Sequence, residues 1–137
     1  MKHIRLYNEA TTASLKLSAH ESLIDYIDDV FLDLSDKGSI VSSYYKYSNE
    51  SEFYACDVDS RNSDVTWGEL RDILLTLVSY FDELMIRRYS IRINGDGYRS
   101  IEEYEEHMAN NMELLKLNQR LKIRNSSITF WVKRPNP

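Results

Sequence analysis

The sequence predicts an α+β fold: a two-layer sandwich with three helices on a four- or five-stranded, mainly antiparallel sheet, in the order (β)αββαβαβ. Three Ser/Thr-x-x-Glu capping boxes open segments whose apolar residues recur at helical spacing. Between those segments the apolar period falls to two, in runs rich in β-branched and aromatic residues. The 137 residues are 42% apolar and 28% charged with 4 Gly and 2 Pro, which suits one folded domain over 1–137 rather than a disordered tail.

In chain order, His3–Tyr7 is an optional short first strand. Ser18-Ala19-His20-Glu21 caps helix one, expected from about residue 19 to Lys37. Its apolar stripe is Leu23, Ile24, Ile27, Val30, Phe31 and Leu34, and Gly38 supplies the left-handed stop. The opposite stripe carries Asp25, Asp28, Asp29, Asp33 and Asp36. Ser39–Tyr47 and Glu52–Asp59 alternate around the polar turn Ser48-Asn49-Glu50-Ser51 and read as a hairpin, with Tyr54, Cys56 and Val58 on one face. Thr66-Trp67-Gly68-Glu69, with Val65 and Leu70 placed for a staple, caps helix two from Trp67 to about Met85. Its stripe of Leu70, Ile73, Leu74, Leu77, Val78, Phe81 and Leu84 marks it as the core helix. Arg88–Asn94 alternates Tyr89, Ile91 and Ile93 against Ser90 and Arg92, and Asn94-Gly95-Asp96-Gly97 reads as a turn into helix three. That helix, capped by Ser100 and Glu103, is expected from Ile101 to Leu117 or beyond and is thinner. Ile128, Phe130 and Val132 close the order with a last alternating strand.

The net charge of −5 hides a split: residues 1–113 hold 22 acids and 11 Lys or Arg, whereas 114–137 hold no acid and six bases. Apolar residues interleave with Lys116, Arg120, Lys122, Arg124, Lys133 and Arg134, so this segment is expected to fold and to pair its charge with acidic helices. No apolar stretch approaches the roughly 20 residues of a spanning helix. The lone Cys56 rules out an intramolecular disulfide, and a reducing, cytoplasmic setting is the default.

No spacing identifies a catalytic site, and the sequence names no cofactor. Asp57-Val58-Asp59-Ser60-Arg61-Asn62 begins like a calcium loop but has Arg61 at its fifth position, Asn62 at its sixth and Gly68 at its twelfth. Asp57 and Asp59 still converge on one side of a strand, the basis for a metal-dependent enzyme as an alternative. His3, His20 and His107 lack zinc spacing, with His20 expected exposed in the first turn of helix one. Cys56, inside an apolar strand, reads as a core residue. Ten tyrosines are unusual, and Tyr44 and Tyr45, adjacent in a strand, must face opposite sides, so at least one is expected exposed. Exposed aromatics serve protein interfaces or stack on bases; the acids Glu50, Glu52, Asp57 and Asp59 nearby favour a protein partner, leaving nucleic acid only to the basic segment 116–134.

Met1-Lys2-His3-Ile4-Arg5-Leu6-Tyr7-Asn8-Glu9-Ala10 resembles the leader of head-packaged proteins of T-even-type bacteriophages. The resemblance implies packaging in a phage head and cleavage by a prohead protease between Glu9 and Ala10. It covers ten residues and departs from the usual aromatic near position 4, which here is Ile4. The acidic body, rich in Tyr, Asn, Ser and Ile, is similar to small phage proteins generally. The resulting expectation is a non-enzymatic, phage-encoded binding protein that engages and inhibits a host protein in the host cytoplasm. Its partner surface is expected to comprise Asp25, Asp29, Asp33, Asp36, Tyr44 and Tyr45. The alternative in another class is a structural protein of the virion.

Overall fold

The computed structural model describes residues 9–111 and 121–133, with side chains described over 20–109 and 121–133. Their elements are α1 (Glu9–Val30), α2 (Leu32–Asp36), β1 (Ile40–Tyr47), β2 (Glu52–Asp59), α3 (Trp67–Glu83), β3 (Arg88–Ile93), β4 (Asp96–Tyr98), α4 (Ile101–Asn111) and β5 (Asn125–Lys133). The strands form one antiparallel sheet in the order β1-β2-β5-β3-β4. The α+β class and the five-stranded sheet agree with the sequence expectation, whereas the number of helices and the element order differ. The optional strand His3–Tyr7 and the extension of helix three toward Leu117 lie outside the described residues.

Helix one is the largest correction. α1 already runs from Glu9, so Ser18 lies inside it and is not its N-cap. The Ser-x-x-Glu pattern is purely local, and no Gly or Pro between Glu9 and Ser18 stops helix from propagating through it. At the far end a turn at Phe31 separates α1 from α2, leaving Phe31 and Leu34 buried while Leu32 is 53% exposed. The stop at Gly38 is as expected: its φ is +106°, Gly38 N–H donates to Ser35 O at 3.0 Å and Ser39 N–H to Leu34 O at 2.9 Å, the paired bonds of a Schellman end.

The capping box of α3 forms as read from the sequence. Thr66 Oγ1 accepts from Glu69 N–H at 3.5 Å, and Glu69 Oε1 accepts from Thr66 N–H at 3.3 Å. At α4 only half of a box forms. Ser100 Oγ accepts from Glu103 N–H at 3.0 Å, but the Glu103 carboxylate accepts from Arg99 N–H at 2.8 Å, one residue before the cap.

α3 ends in the same Schellman pattern as α2, with Met85 N–H donating to Asp82 O at 2.9 Å and Ile86 N–H to Phe81 O at 2.9 Å. Here the left-handed position is held by Met85, at φ +67° and 70% exposed. A side chain in that region costs about 1–2 kcal/mol, partly offset on substitution by the greater freedom of an unfolded glycine. Met85→Gly is therefore expected to stabilise the protein by up to about 1 kcal/mol in urea unfolding, and a loss of stability would contradict this cap.

Asn94-Gly95-Asp96-Gly97 is not a turn into helix three. Asn94 and Gly95 have φ of +50° and +96°, a tight hairpin turn that leads directly into β4. The Asn94 side chain also fixes the approach to β5: its Oδ1 accepts from Arg124 N–H at 2.7 Å and Asn125 N–H at 3.2 Å.

Register gives the sheet two distinct faces. Tyr45–Tyr54–Phe130–Tyr89 and Cys56–Ile128–Ile91 are cross-strand rows that point to the helices. Against them α3 buries Trp67, Leu70, Leu74, Leu77 and Phe81, with Phe81 stacked on Phe130 at 4.0 Å. Ile73 and Val78 are half-buried, and Leu84, expected in the core stripe, is exposed because the helix has ended. Ile101 and Tyr104 of α4 are buried too, Tyr104 against Trp67 at 4.5 Å. Glu105 Oε2 ties the two helices, accepting from Trp67 Nε1 at 2.9 Å and from Arg71 Nε at 2.6 Å. No helix among the described residues is long and apolar enough to cross a membrane.

Candidate functional site

The predicted partner residues fall on three different surfaces. Asp25, Asp29, Asp33 and Asp36 are all exposed along α1 and α2, as are Asp28 and Leu32, which lie between them in sequence. The ion pairs among the described residues are Lys37–Glu69, Arg61–Asp59, Arg71–Glu105, Arg87–Asp82 and Arg99–Glu103, so none draws on this acidic ridge. The expectation that the basic C-terminal segment pairs with the acidic helices fails for its described members. Lys122, Arg124 and Lys133 join no such pair, and Lys133 Nζ donates to Asn49 O at 2.5 Å. Lys116, Arg120 and Arg134 lie outside the described residues.

Tyr44 and Tyr45 face opposite sides, as strand geometry requires, but neither is exposed; the exposed tyrosine of the hairpin is Tyr47. Tyr45 is on the helix side. Its ring stacks on His20 at 3.9 Å, its hydroxyl donates to Glu52 Oε2 at 2.5 Å, and the Tyr54 hydroxyl shares a hydrogen bond with His20 Nδ1. Burial first, then the Glu52 carboxylate, raises the Tyr45 pKa, while burial pushes Tyr54 up to about 12. His20 is thus a half-buried packing residue in the body of α1, not an exposed ring in a first turn. Cys56 beside them is fully buried, and burial pushes its thiol up to about 12, opposite to what a thiolate nucleophile needs.

Tyr44 belongs to the other face of the sheet, away from the helices. Its ring meets Phe53 edge-on at 6.3 Å, Phe53 meets Trp131 at 5.0 Å, and Lys46 Nζ lies 5.6 Å from the Tyr44 centroid. The register places Lys46, Phe53, Trp131 and Arg88 in one row, Tyr44, Ala55, Thr129 and Ser90 in the next, and Ser42, Asp57, Ser127 and Arg92 in the third. Small residues in the second and third rows leave two hollows, about 370 and 400 Å³, that share Arg92 and Ser127. Phe53, Trp131, Arg88 and Arg92 were not among the residues singled out from the sequence. Strand parity already turned Trp131 and Arg92 away from the core; their convergence depends on the strand order.

Asp57 and Asp59 share this outer face, as alternation predicts. Asp59 does not offer an open carboxylate: Arg61 Nη2 donates to its Oδ2 at 2.7 Å, while Arg61 Nε and N–H donate to Oδ1 at 3.0 and 3.1 Å. Those bonds hold its pKa below the usual range. The loop beyond is organised around serines, with Ser39 Oγ 2.8 Å from both Ser60 Oγ and Ser63 Oγ, all three buried. Among the described residues no group of three or more His, Cys, Asp and Glu side chains is placed to hold a metal ion. No protein family, curated protein or solved structure matches the chain.

Proposed function

We propose that the chain is a non-enzymatic binding protein, encoded by a bacteriophage, that engages and inhibits a host protein through the acidic ridge of α1 and α2. The observation that supports this is the exposed series Asp25, Asp29, Asp33 and Asp36, free of the ion pairs formed elsewhere among the described residues, with the 53% exposed Leu32 between Asp29 and Asp33 in sequence. An apolar anchor inside a charged rim is the anatomy of a protein interface, and a row of carboxylates is complementary to a basic groove that ordinarily holds nucleic acid. Tyr44 and Tyr45 are no part of this surface.

The test is capture from host lysate at low salt by the wild-type chain and by the Asp29→Asn/Asp33→Asn variant in parallel. A host protein with a basic surface, retained by the wild type and lost by the variant, is the expected outcome. Equal retention by both would reject the ridge.

The leader-like first ten residues support a second function, that of a packaged phage-head protein. Its mark is a virion-borne chain that begins at Ala10.

A further inference from the structure

We propose that the face of the sheet turned away from the described helices binds single-stranded RNA, on the layer opposite the acidic ridge and independently of it. Counted along the sequence, the first hairpin is acidic, which argues against a polyanion. The folded arrangement removes that objection. Glu52 is turned to the helix side by the Tyr45 hydroxyl, and Asp59 is neutralised by Arg61, as Glu103 at the rim is by Arg99. What remains on the face is Lys46, Arg88 and Arg92, all exposed, against the single exposed carboxylate of Asp57. In a chain of net charge −5 this is a positive patch on an acidic protein.

The rest of the face has the chemistry that single strands require. The half-buried Tyr44, Phe53 and Trp131 form a contiguous aromatic cluster spanning two adjacent rows, and unpaired bases stack on such rings, whereas a duplex keeps its bases stacked inside. Beside these rings, Ser42, Ser90, Ser127 and Thr129 are small enough to leave hollows of about 370 and 400 Å³ beneath a bound strand. Arg92 lines both hollows and Arg88 pairs with Trp131 across the strands, each positioned for phosphates or for stacking. Asp57 and the neighbouring hydroxyls of Ser42 and Ser127 supply acceptors for a ribose 2′-OH, the group by which a protein distinguishes RNA from DNA. RNA is therefore the strand this face fits.

The probe is a fluorescein-labelled oligouridine of about ten nucleotides, within the length one such face covers, titrated with the full chain in fluorescence anisotropy. Saturable binding is expected, weakening steeply as salt rises. Trp131→Ala should weaken it about fivefold or more, as loss of one stacking ring does. Because Trp131 is half-buried, Arg92→Glu, at an exposed position, provides the second variant and should weaken binding at unchanged melting temperature. Asp29→Asn/Asp33→Asn should leave binding unreduced, and oligothymidine of equal length should bind more weakly. The proposal is overturned by no saturable binding, by binding indifferent to both Trp131→Ala and Arg92→Glu, or by oligothymidine binding as tightly as oligouridine. None of these outcomes bears on the acidic ridge, whose test reads capture of a host protein rather than RNA.

Discussion

Leu77→Ala is expected to destabilise the protein by about 2–5 kcal/mol, and Leu74→Ala by a similar amount, in urea or thermal unfolding. Both leucines are buried, on the stripe of α3 that also carries Leu70 and Phe81 onto the sheet. Removing a buried leucine loses its transfer free energy and leaves a cavity that close-packed neighbours fill only partly. Leu84 is the internal control. It lies on the same sequence stripe but beyond the end of α3 and exposed, so Leu84→Ala should stay within about 0.5 kcal/mol. A loss below about 0.5 kcal/mol at Leu77 would mean that α3 is rotated out of the phase described.

Glu105→Ala is expected to cost about 1–3 kcal/mol, chiefly through Trp67. The Glu105 carboxylate accepts from both Trp67 Nε1 and Arg71 Nε. The Arg71–Glu105 pair has side chains 38% and 25% exposed, and water screens such a pair to a fraction of a kcal/mol. Trp67 is different, since it is fully buried and its indole N–H would be left without an acceptor. Glu105→Gln retains an amide oxygen for that N–H and should recover most of the loss. Equal destabilisation by Ala and Gln would contradict the assignment and place the weight on the charge instead.

Features set by a few neighbouring residues were legible in the sequence. The Thr66 capping box, the stop at Gly38, the limits of β2 and the phase of α3 depend on contacts within a turn or on strict alternation. The same locality misled at Ser18, where a cap pattern sits inside a continuous helix, and at Asn94-Gly95, where a three-residue strand is too short to show a period. Sheet order was beyond reach because β5 enters between β2 and β3 from the far end of the chain. The outer face depended on that insertion. It sets Trp131 beside Phe53 and brings Arg92 across from Ser127, and neither neighbourhood follows from any single segment. The exposure of the acidic ridge was legible because its aspartates recur at helical spacing on both sides of the Phe31 turn, while the pairing of Tyr44 and Tyr45 with it failed on the alternation that separates them.

The most direct test of the acidic ridge as a docking surface is the association rate with the captured host partner. It is measured for the wild type and for Asp29→Asn/Asp33→Asn at low and high salt. Exposed carboxylates speed encounter with a basic surface, and salt shortens the range over which they act. The predicted result is slower association for the variant at low salt, a difference that shrinks at high salt, and little change in dissociation. An association rate indifferent to both the substitutions and the salt would contradict the account.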